Sequence, residues 1–262
     1  MTKLNLHKPK KYLSQNFLQD KNIARKIVNS ISLKKNDNVV EIGPGKGILT
    51  SELLNNISHL TAVELDSDLT VVLKERFGNS ITLLNEDFLK VSLEKLSSNK
   101  KIRLVGNIPY KITSPIIFHA IDSQNEIVDM TIMIQREVAK RIVASPNSKD
   151  YGILSVLVQY YCTPKLLFNV SPKCFIPQPK VISSVVHFDF EKRKYPITQN
   201  DLLFRKIVRG TFNQRRKTLR NTLRTLGYSE NILSNLSIDL NRRAESLSVQ
   251  EFLSLTTELL TE

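Results

Sequence analysis

A polar and aromatic turn follows an apolar run near the middle of the chain. The run Ile102–Val105 predicts a short buried strand, and the segment Gly106–Tyr110 follows it directly. Pro109 fixes its own φ and lacks an N–H group, so the strand should end in a stiff turn. At the carboxyl end of a strand, the Asn107 amide could hydrogen-bond to a flat nitrogen-bearing ring, and the Tyr110 ring could stack on it. The turn therefore predicts the recognition of a base-like ligand.

A glycine-rich turn and a spaced acid predict a nucleotide-cofactor site. The predicted strand Asn38–Ile42 leads into Gly43–Gly47, which has the pattern G-x-G-x-G and precedes a helical pattern. Glycines let the backbone approach a ligand closely, and N–H groups at a helix start can face it. Glu64 ends the second predicted strand, 21 residues after Gly43, where an acid can accept hydrogen bonds from ribose hydroxyls. The pattern is neither that of a dinucleotide binder nor that of a P-loop.

The acids near this turn also have structural interpretations. Glu64 and Asp66 could cap the helix predicted over Leu69–Phe77, and Asp66 fits the cap position better, which leaves Glu64 for the ribose. Asp87, just past the third predicted strand, could accept the exocyclic amine of a bound adenine. It could equally cap a helix predicted over 88–97, and its position alone does not separate the two roles.

Strands and helices alternate around these residues. Apolar runs predict strands, and a period near 3.6 residues predicts the helices between them. The predicted strands are 38–42, 60–63, 81–84, 102–105, 130–134, 166–170 and 185–190. This rhythm predicts an α/β fold with a Rossmann-like, doubly wound parallel sheet and an antiparallel last strand. The apolar segment 153–161 fits either element, and we favour a helix.

Positive charge is concentrated near the C-terminus. The 262 residues carry a formal net charge of +13, and eleven Lys or Arg lie between 192 and 225, against the single acid Asp201. Helical periodicity continues to the end, so we predict two domains, residues 1–191 and a small all-α domain of residues 192–262. A clustered basic face favours nucleic acid as partner, although a merely solvated charged face is the alternative.

Composition argues against several other classes of protein. No run approaches the roughly 18 apolar residues of a membrane span, and the basic N-terminus lacks the apolar core of a signal peptide. We therefore expect a cytoplasmic protein without membrane contact. The two cysteines, twelve residues apart, give neither zinc spacing nor a disulfide framework. Residues 1–11 predict a mobile basic arm, and Tyr12–Leu18 either anchors that arm or borders a ligand with Gln15 and Asn16.

All these motifs occur in the order found in one known family. Over nearly its whole length the chain resembles the rRNA adenine N6,N6-dimethyltransferases, and within them the 16S-type, small-subunit enzymes. The matching segments are Ser14–Leu18, Glu41–Gly47, Val63–Asp66, Glu86–Phe88, Asn107–Tyr110, Phe175–Val181, Phe212–Arg220 and Arg243–Glu245.

The resemblance implies a fold and a partner. We expect a class I S-adenosylmethionine-dependent methyltransferase domain of seven strands over residues 1–191, and an RNA-recognition domain over 192–262. The substrate would be two adjacent adenosines near the 3′ end of 16S rRNA, in a small-subunit assembly intermediate. We expect the enzyme to act as a monomer.

The resemblance also implies roles for individual residues. The target adenine would be held by Asn107, Pro109 and Tyr110. The Phe175 ring would pack on its other face. A sulfonium methyl group is already activated, so the transfer should need no metal. The residues that would line the S-adenosylmethionine site are Asn16, Leu18, Gly43, Glu64, Asp87 and Asn107.

Other functions would use the same features. A 23S rRNA dimethyltransferase that confers macrolide resistance shares the chemistry, but the Phe175–Val181 loop and Arg243–Glu245 argue against it. A nucleic-acid-binding assembly or transcription factor could keep the fold without turnover, but an intact Asn107–Tyr110 turn beside intact glycines counts against it. A DNA adenine methyltransferase is disfavoured, because those enzymes usually carry Asp at the head of a Pro-Pro-Tyr turn.

Overall fold

The structure, a computed structural model, describes residues 9–10, 15–97 and 100–261. Most of the predicted basic arm, and Tyr12, Leu13 and Ser14 after it, lie outside the described residues. The chain separates into two compact units. The sheet unit contains the described residues up to 139 together with 165–191, and the helical unit contains 140–164 together with the chain from 192 onward.

A seven-stranded sheet organises the first unit. Its strands occur in the order β4-β3-β2-β5-β6-β9-β7. Strands β2 to β6 pair in parallel, and β9 is antiparallel to β6, as the sequence predicts. Strands β1 and β8 form a separate antiparallel ribbon. The strands are β1 (Phe17–Leu18), β2 (Asn38–Ile42), β3 (Leu60–Val63), β4 (Ile81–Leu84), β5 (Ile102–Asn107), β6 (Ile127–Gln135), β7 (Thr163–Val170), β8 (Phe175–Ile176) and β9 (Ser183–Asp189).

Helices alternate with the parallel strands and then dominate the second unit. The helix favoured over 153–161 is confirmed, but the helix predicted over 88–97 is wrong in extent. Asp87 caps a short 3-10 turn there, the chain then extends at Val91, and Ser92 caps a new helix. The helices are α1 (Lys21–Asn29), α2 (Ile48–Leu53), α3 (Ser67–Phe77), α4 (Leu93–Leu96), α5 (Thr113–Asp122), α6 (Arg136–Ile142), α7 (Ile153–Tyr161), α8 (Asp201–Phe212), α9 (Leu219–Thr225), α10 (Glu230–Ser234) and α11 (Val249–Thr261).

The β1–β8 ribbon is anchored on the sheet unit by apolar side chains. Leu18 and Phe175 are opposite each other across the ribbon, and both are buried. They belong to one buried cluster with Ala24 and Ile27 of α1 and Val39 of β2. Because this burial removes apolar surface from water, it holds the ribbon against the unit. The anchoring interpretation of the N-terminal motif is therefore supported at Leu18.

Aromatic packing explains why residues 140–164, which the sequence analysis placed in the first domain, belong to the helical unit. Tyr160 of α7 and Phe204 of α8 have ring centroids 4.3 Å apart, and both are fully buried. The Tyr151 hydroxyl donates to the Leu247 carbonyl at 2.8 Å. The apolar segment 153–161 therefore finds its partners among the C-terminal helices.

The last helix begins with a capping box, in which Ser248 and Glu251 bond each other's backbone N–H groups. The Glu251 N–H donates to Ser248 Oγ at 3.2 Å, and the Ser248 N–H donates to the Glu251 carboxylate at 2.8 Å. In the part of the chain that the structure describes, no helix has the length and apolar character needed to cross a membrane.

Candidate active site

An open cavity of about 210 Å³ lies at the carboxyl ends of β2, β3 and β5. Strand register explains its position. Ile42 at the end of β2 pairs with Val63 on one side and with Gly106 on the other, so the residues that follow these three strands are neighbours. This is the point at which strand order reverses, where open α/β sheets bind ligands. The predicted site residues that line the cavity are Asn16, Gly43, Glu64, Asp87, Asn107 and Pro109.

The glycine turn has backbone conformations that favour glycine. Gly43 and Gly45 have φ of +63° and +57°. A Cβ on Gly43 would meet open space, so the turn leaves room for a ligand. A Cβ on Gly45 would come within 2.9 Å of Cδ1 of Phe17, so this glycine lets the ribbon pack over the turn. Phe17 itself lines the cavity, a role that its sequence position did not predict.

Glu64 connects the glycine turn to the turn after β3. Its two carboxylate oxygens accept the Gly45 N–H at 3.0 Å and the Asp66 N–H at 2.9 Å. The side chain is buried, and this burial raises its pKa against the opposing effect of those hydrogen bonds. A carboxylate has about four lone-pair sites, so acceptor capacity remains for a ligand beside these backbone bonds. Glu64 therefore shapes the cavity wall and can also bind hydroxyl donors.

Asp66 has the structural role that the sequence predicts, and it also holds the N-terminal motif. Its side chain caps α3 by accepting the Asp68 N–H, and it accepts from Gln15 Nε2 at 2.8 Å and from Lys10 Nζ at 2.6 Å. Burial would raise the pKa of Asp66, but the hydrogen bonds from Lys10 and Gln15 keep it below its ordinary value. These contacts position the residue after Gln15, Asn16, at the cavity wall.

Asp87 caps the turn after β4 and also lies at the cavity wall. One carboxylate oxygen accepts the Leu89 N–H at 3.1 Å and so caps the turn after β4. The residue also lines the cavity. Capping by a single N–H leaves the carboxylate with acceptor capacity for a ligand amine.

The Asn107 side chain has a defined orientation. Its amide nitrogen donates to the Asn16 main-chain carbonyl at 2.9 Å, and this bond assigns the nitrogen and oxygen positions. The side-chain oxygen is then left as the acceptor. In the adjoining turn the Pro109 carbonyl accepts the Ile112 N–H at 3.1 Å, so the Ile108 carbonyl is the better second acceptor.

Three predicted site residues do not line the main cavity. Leu18 instead lines a small neighbouring pocket with Glu41 and the glycine turn. Tyr110 begins the 3-10 turn after Pro109, and its hydroxyl is hydrogen-bonded to Ser183 Oγ at 2.8 Å. The Phe175 ring is packed in the buried cluster beneath the ribbon. We therefore assign Phe175 a packing role in this structure, and its contact with an adenine stays a prediction.

Several cavity residues escaped the sequence analysis. Leu65 is 53% exposed although it is apolar, and it lines the cavity directly after Glu64. An apolar residue between two acids at the end of a strand was the available signal. Phe88 lies in the same wall, after Asp87. Further lining residues that were not predicted are Phe17, Glu86, Lys111 and Ile112, whereas Gln15, the possible ligand neighbour of the N-terminal motif, does line the cavity.

Glu41 is a buried acid beside the site that no motif spacing singled out. Its side chain accepts a hydrogen bond from Thr50 Oγ1 at 2.6 Å. Burial raises its pKa to about 8, and the Thr50 bond opposes that shift only in part. Nearby Glu64 raises the pKa of Glu41 further, because two like charges disfavour each other.

Fold and site together define a Rossmann-like methyltransferase: a parallel sheet with one antiparallel strand, a glycine turn after β2, an acid after β3 and an Asn-Ile-Pro-Tyr turn after β5. Comparisons with known proteins narrow the class. The family model described as ribosomal RNA adenine dimethylase matches residues 6–260. The chain therefore belongs to this family, and it is an rRNA adenine dimethyltransferase.

Individual relatives agree with this assignment. The chain is 46% identical over 250 residues to the ribosomal RNA small subunit methyltransferase A of Chlorobium phaeobacteroides (strain BS1), which covers 95% of this chain and 93% of the relative. It is similar to the crystal structure of a dimethyladenosine transferase from Plasmodium falciparum, with a TM-score of 0.81, 27% identity and coverage of 94% and 98%. The 23S rRNA methyltransferase ErmE has a TM-score of 0.71, 25% identity and coverage of 93% and 99%.

Proposed function

We propose that this chain dimethylates N6 of two adjacent adenosines near the 3′ end of 16S rRNA, with S-adenosylmethionine as methyl donor. The observation that carries the proposal is the fixed Asn107 amide, whose oxygen is an acceptor at the cavity wall. The small-subunit relative, 46% identical over 95% of this chain, supports small-subunit RNA as the substrate. A subunit assembly intermediate as substrate, a cytoplasmic location and action as a monomer stay predictions.

The cavity residues fit S-adenosylmethionine. Gly43 leaves open space where a Cβ would stand, and Glu64 keeps acceptor sites for ribose hydroxyls. Asp87 can accept the exocyclic amine of the cofactor's adenine, and Leu65 and Phe88 supply apolar surface for its ring. When bound, S-adenosylmethionine supplies a methyl group already activated on a positively charged sulfur.

The task left to the protein is to make the adenine amine nucleophilic. The N6 lone pair is delocalised into the ring and is therefore poorly available. The Asn107 side-chain oxygen and the Ile108 carbonyl would accept the two N6 hydrogens and favour a more tetrahedral nitrogen. Positive charge builds on N6 in the transition state, so these bonds strengthen there and lower the barrier.

Tyr110 would hold the target base once it has left its stack. An aromatic ring contributes about 1–3 kcal/mol per stacked base. Pro109, which has φ −57° and ψ 128°, fixes the path of the chain between Asn107 and this ring. A held base aligns its amine with the methyl group, which supplies part of the rate enhancement.

The helical unit would bind the RNA backbone. Most of the clustered Lys and Arg side chains between 192 and 225 are exposed. Some of them pair with acids, as Arg224 does with Glu230, but Arg216 and Lys217 form no ion pair with any described residue. Exposed cations without acidic partners attract phosphates and make binding dependent on salt.

The test is methyl transfer to undermethylated small ribosomal subunits by wild type and by Asn107→Ala, with the methylated nucleotides mapped by mass spectrometry. We expect two dimethylated adenosines near the 3′ end of the small-subunit rRNA with wild type. We expect the rate to fall by about 100- to 1000-fold in Asn107→Ala, the usual cost of removing one transition-state hydrogen bond. S-adenosylmethionine should still bind to the variant in calorimetry.

Asn38→Ala is the matched control. The Asn38 amide also donates to main-chain carbonyls, at 2.8 Å to those of Leu96 and Lys100. Asn38 is the first residue of β2, so it lies at the amino end of the strand, away from the cavity at the carboxyl ends. Its variant should keep the wild-type rate. Undiminished transfer by Asn107→Ala would refute the role of Asn107. Methylation of 23S rRNA alone would refute the assignment to the small subunit.

A further inference from the structure

Ser183 is a buried hydroxyl residue that no motif or site prediction included. It is fully buried at the start of β9, just after the Phe175–Val181 loop. Its Oγ lies 2.8 Å from the hydroxyl oxygen of Tyr110, 73 residues away in sequence. Tyr110 has no other described hydrogen bond through its side chain. The Ser183 hydroxyl is thus the polar contact that fixes the far end of the tyrosine ring.

The serine itself is held firmly in place. Ser183 pairs with Gln135 in the β6–β9 ladder. The adjacent Ile182 carbonyl accepts the Arg136 N–H at 3.0 Å. Ladder bonds on β9 fix the backbone, and full burial restricts the side chain, so Oγ is a fixed point of attachment. Tyr110, by contrast, lies in a short 3-10 turn and is only half-buried.

The ring of Tyr110 therefore has two constraints with different origins. Pro109 fixes the backbone that carries the ring, while Ser183 fixes the hydroxyl at its tip. A tyrosine side chain has two torsions, and its hydroxyl oxygen lies on the axis of the second. A bond at the tip therefore fixes χ1 and the direction in which the ring extends, while its half-buried surroundings limit rotation about χ2. Without that bond the ring could swing about χ1 and occupy other positions.

We propose that Ser183 is a positioning residue for methyl transfer, because it holds the Tyr110 ring in the position from which it stacks on the target adenine. This inference rests on the proposed function, in which Tyr110 stacks on that base. Ser183 does not touch substrate. It acts through Tyr110. Because it restricts the ring before the base binds, less conformational entropy of the ring is lost on binding.

The neighbouring residue supplies a matched control. Ser184 is also fully buried on β9, and its Oγ donates to Asn169 Oδ1 at 2.7 Å. Consecutive residues of a strand point to opposite faces of the sheet. Ser183→Ala and Ser184→Ala therefore each delete one buried side-chain hydrogen bond from the same strand, but only Ser183→Ala removes the contact with Tyr110.

The experiment measures single-turnover methyl transfer to undermethylated small subunits at saturating S-adenosylmethionine. We expect Ser183→Ala and Tyr110→Phe each to lower the rate by about three- to tenfold, the usual effect of losing one hydrogen bond. Ser184→Ala should match wild type in rate. The dissociation constant for S-adenosylmethionine should be unchanged in all three variants.

A double-mutant cycle separates positioning from general support of the fold. If Ser183 acts through the tyrosine hydroxyl, Ser183→Ala should cause no further loss of rate in the Tyr110→Phe background. Tyr110→Phe removes the same bond without altering β9, so it keeps the test valid should Ser183→Ala fold poorly.

Three results would overturn the inference. These are a wild-type rate in both Ser183→Ala and Tyr110→Phe, a full additional loss in the double variant, or an equal loss in Ser184→Ala. Each of them leaves the proposed function intact, because wild type still methylates the subunit. Failure of the wild-type protein to methylate any rRNA adenine would instead overturn the proposed function itself.

Discussion

Glu41 in the sheet unit and Glu251 in the helical unit are both hydrogen-bonded carboxyl groups, yet their pKa values move in opposite directions. Burial raises the pKa of Glu41 to about 8, since the hydroxyl and the N–H of Thr50 compensate only part of the lost hydration. Hydrogen bonding to Arg242, supported by Ser248, lowers the pKa of Glu251 to about 2. Glu41 of the sheet unit is thus held without a cationic partner among the described residues, whereas Glu251 of the helical unit is paired with Arg242.

The same contrast extends to the neighbouring acids. Glu64 beside the cavity has backbone N–H partners, and its pKa is raised by burial. In the helical unit Glu230 pairs with Arg220 and Arg224, and Glu245 pairs with Arg215. Glu64 thus keeps acceptor capacity that a ligand can use, whereas Glu230, Glu245 and Glu251 are paired with arginines. The comparison teaches that an acid at the cavity wall can serve binding, while these acids of the helical unit serve folding.

The largest effect in a test of this contrast is expected for Glu64→Ala, which should weaken the binding of S-adenosylmethionine. Hydrogen bonds to a charged group contribute about 1.5–3 kcal/mol, so affinity for S-adenosylmethionine should fall by about 10- to 100-fold. Titration calorimetry measures the dissociation constant. Glu64→Gln, which keeps an acceptor oxygen for the backbone, should lose affinity less. Glu75→Ala on the exposed face of α3 is the control and should bind normally. Equal affinities in all four proteins would contradict a ligand role for Glu64.

A second test concerns how the free energy of unfolding depends on pH through Glu41 of the sheet unit. In the unfolded chain Glu41 ionises near pH 4.5, but in the folded chain only near pH 8. Between these values the folded state binds more protons, so stability that is fully present below pH 4.5 is lost as pH rises toward 8. Glu41→Gln should remove this loss and be the more stable protein at pH 8, by on the order of 2 kcal/mol.

Urea unfolding of wild type and Glu41→Gln at pH 5 and pH 8 measures this difference. Thr50 can still donate to the amide oxygen of the glutamine, so the substitution keeps the local bond. A wild-type advantage that grows with pH would show that Glu41 is stabilised as the anion.

The smallest effect is expected for Glu251→Gln in the helical unit. The folded pKa of Glu251 lies below its unfolded value, so its charge contributes stability above about pH 4.5, which is lost as pH falls toward 2. Because the side chain is 37% exposed, solvent screens the Arg242 pair and we expect a loss of only about 1 kcal/mol at pH 7. Urea unfolding at pH 7 and pH 3 should show this loss shrinking with acid. A deficit that stays constant with pH would assign the effect to the cap alone.

Local patterns predicted much of this molecule. Apolar runs identified the parallel strands, and the spacing of Glu64 from the Gly43 turn placed both residues at one cavity. Asp66 as a helix cap is a local interaction of the same kind, and it is confirmed. The predicted extent of the helix after Asp87 was wrong. Val91 is extended and Ser92 caps a new helix, although the apolar spacing continues through both residues.

The roles that could not be predicted depend on contacts distant in sequence. The resemblance implies that Phe175 packs on the target base, and the burial of its ring in the core follows from the pairing of β8 with β1. Burial of Glu41 depends on strands and helices packed around it, and no spacing rule contains that information. Assignment of segment 140–164 to the helical unit likewise depends on aromatic partners that follow in the chain.

By itself, the sequence determined which segments form strands, which residue types follow each strand, and the Asn107–Tyr110 turn. These features follow from local chemistry and periodicity. Only the tertiary structure decided how that turn is held. The Asn16 carbonyl orients the Asn107 amide across 91 residues, and the Ser183 hydroxyl meets Tyr110 across 73. Such bonds exist only once the ribbon and β9 have folded onto the sheet unit, since a hydrogen bond needs two groups within about 3 Å of each other.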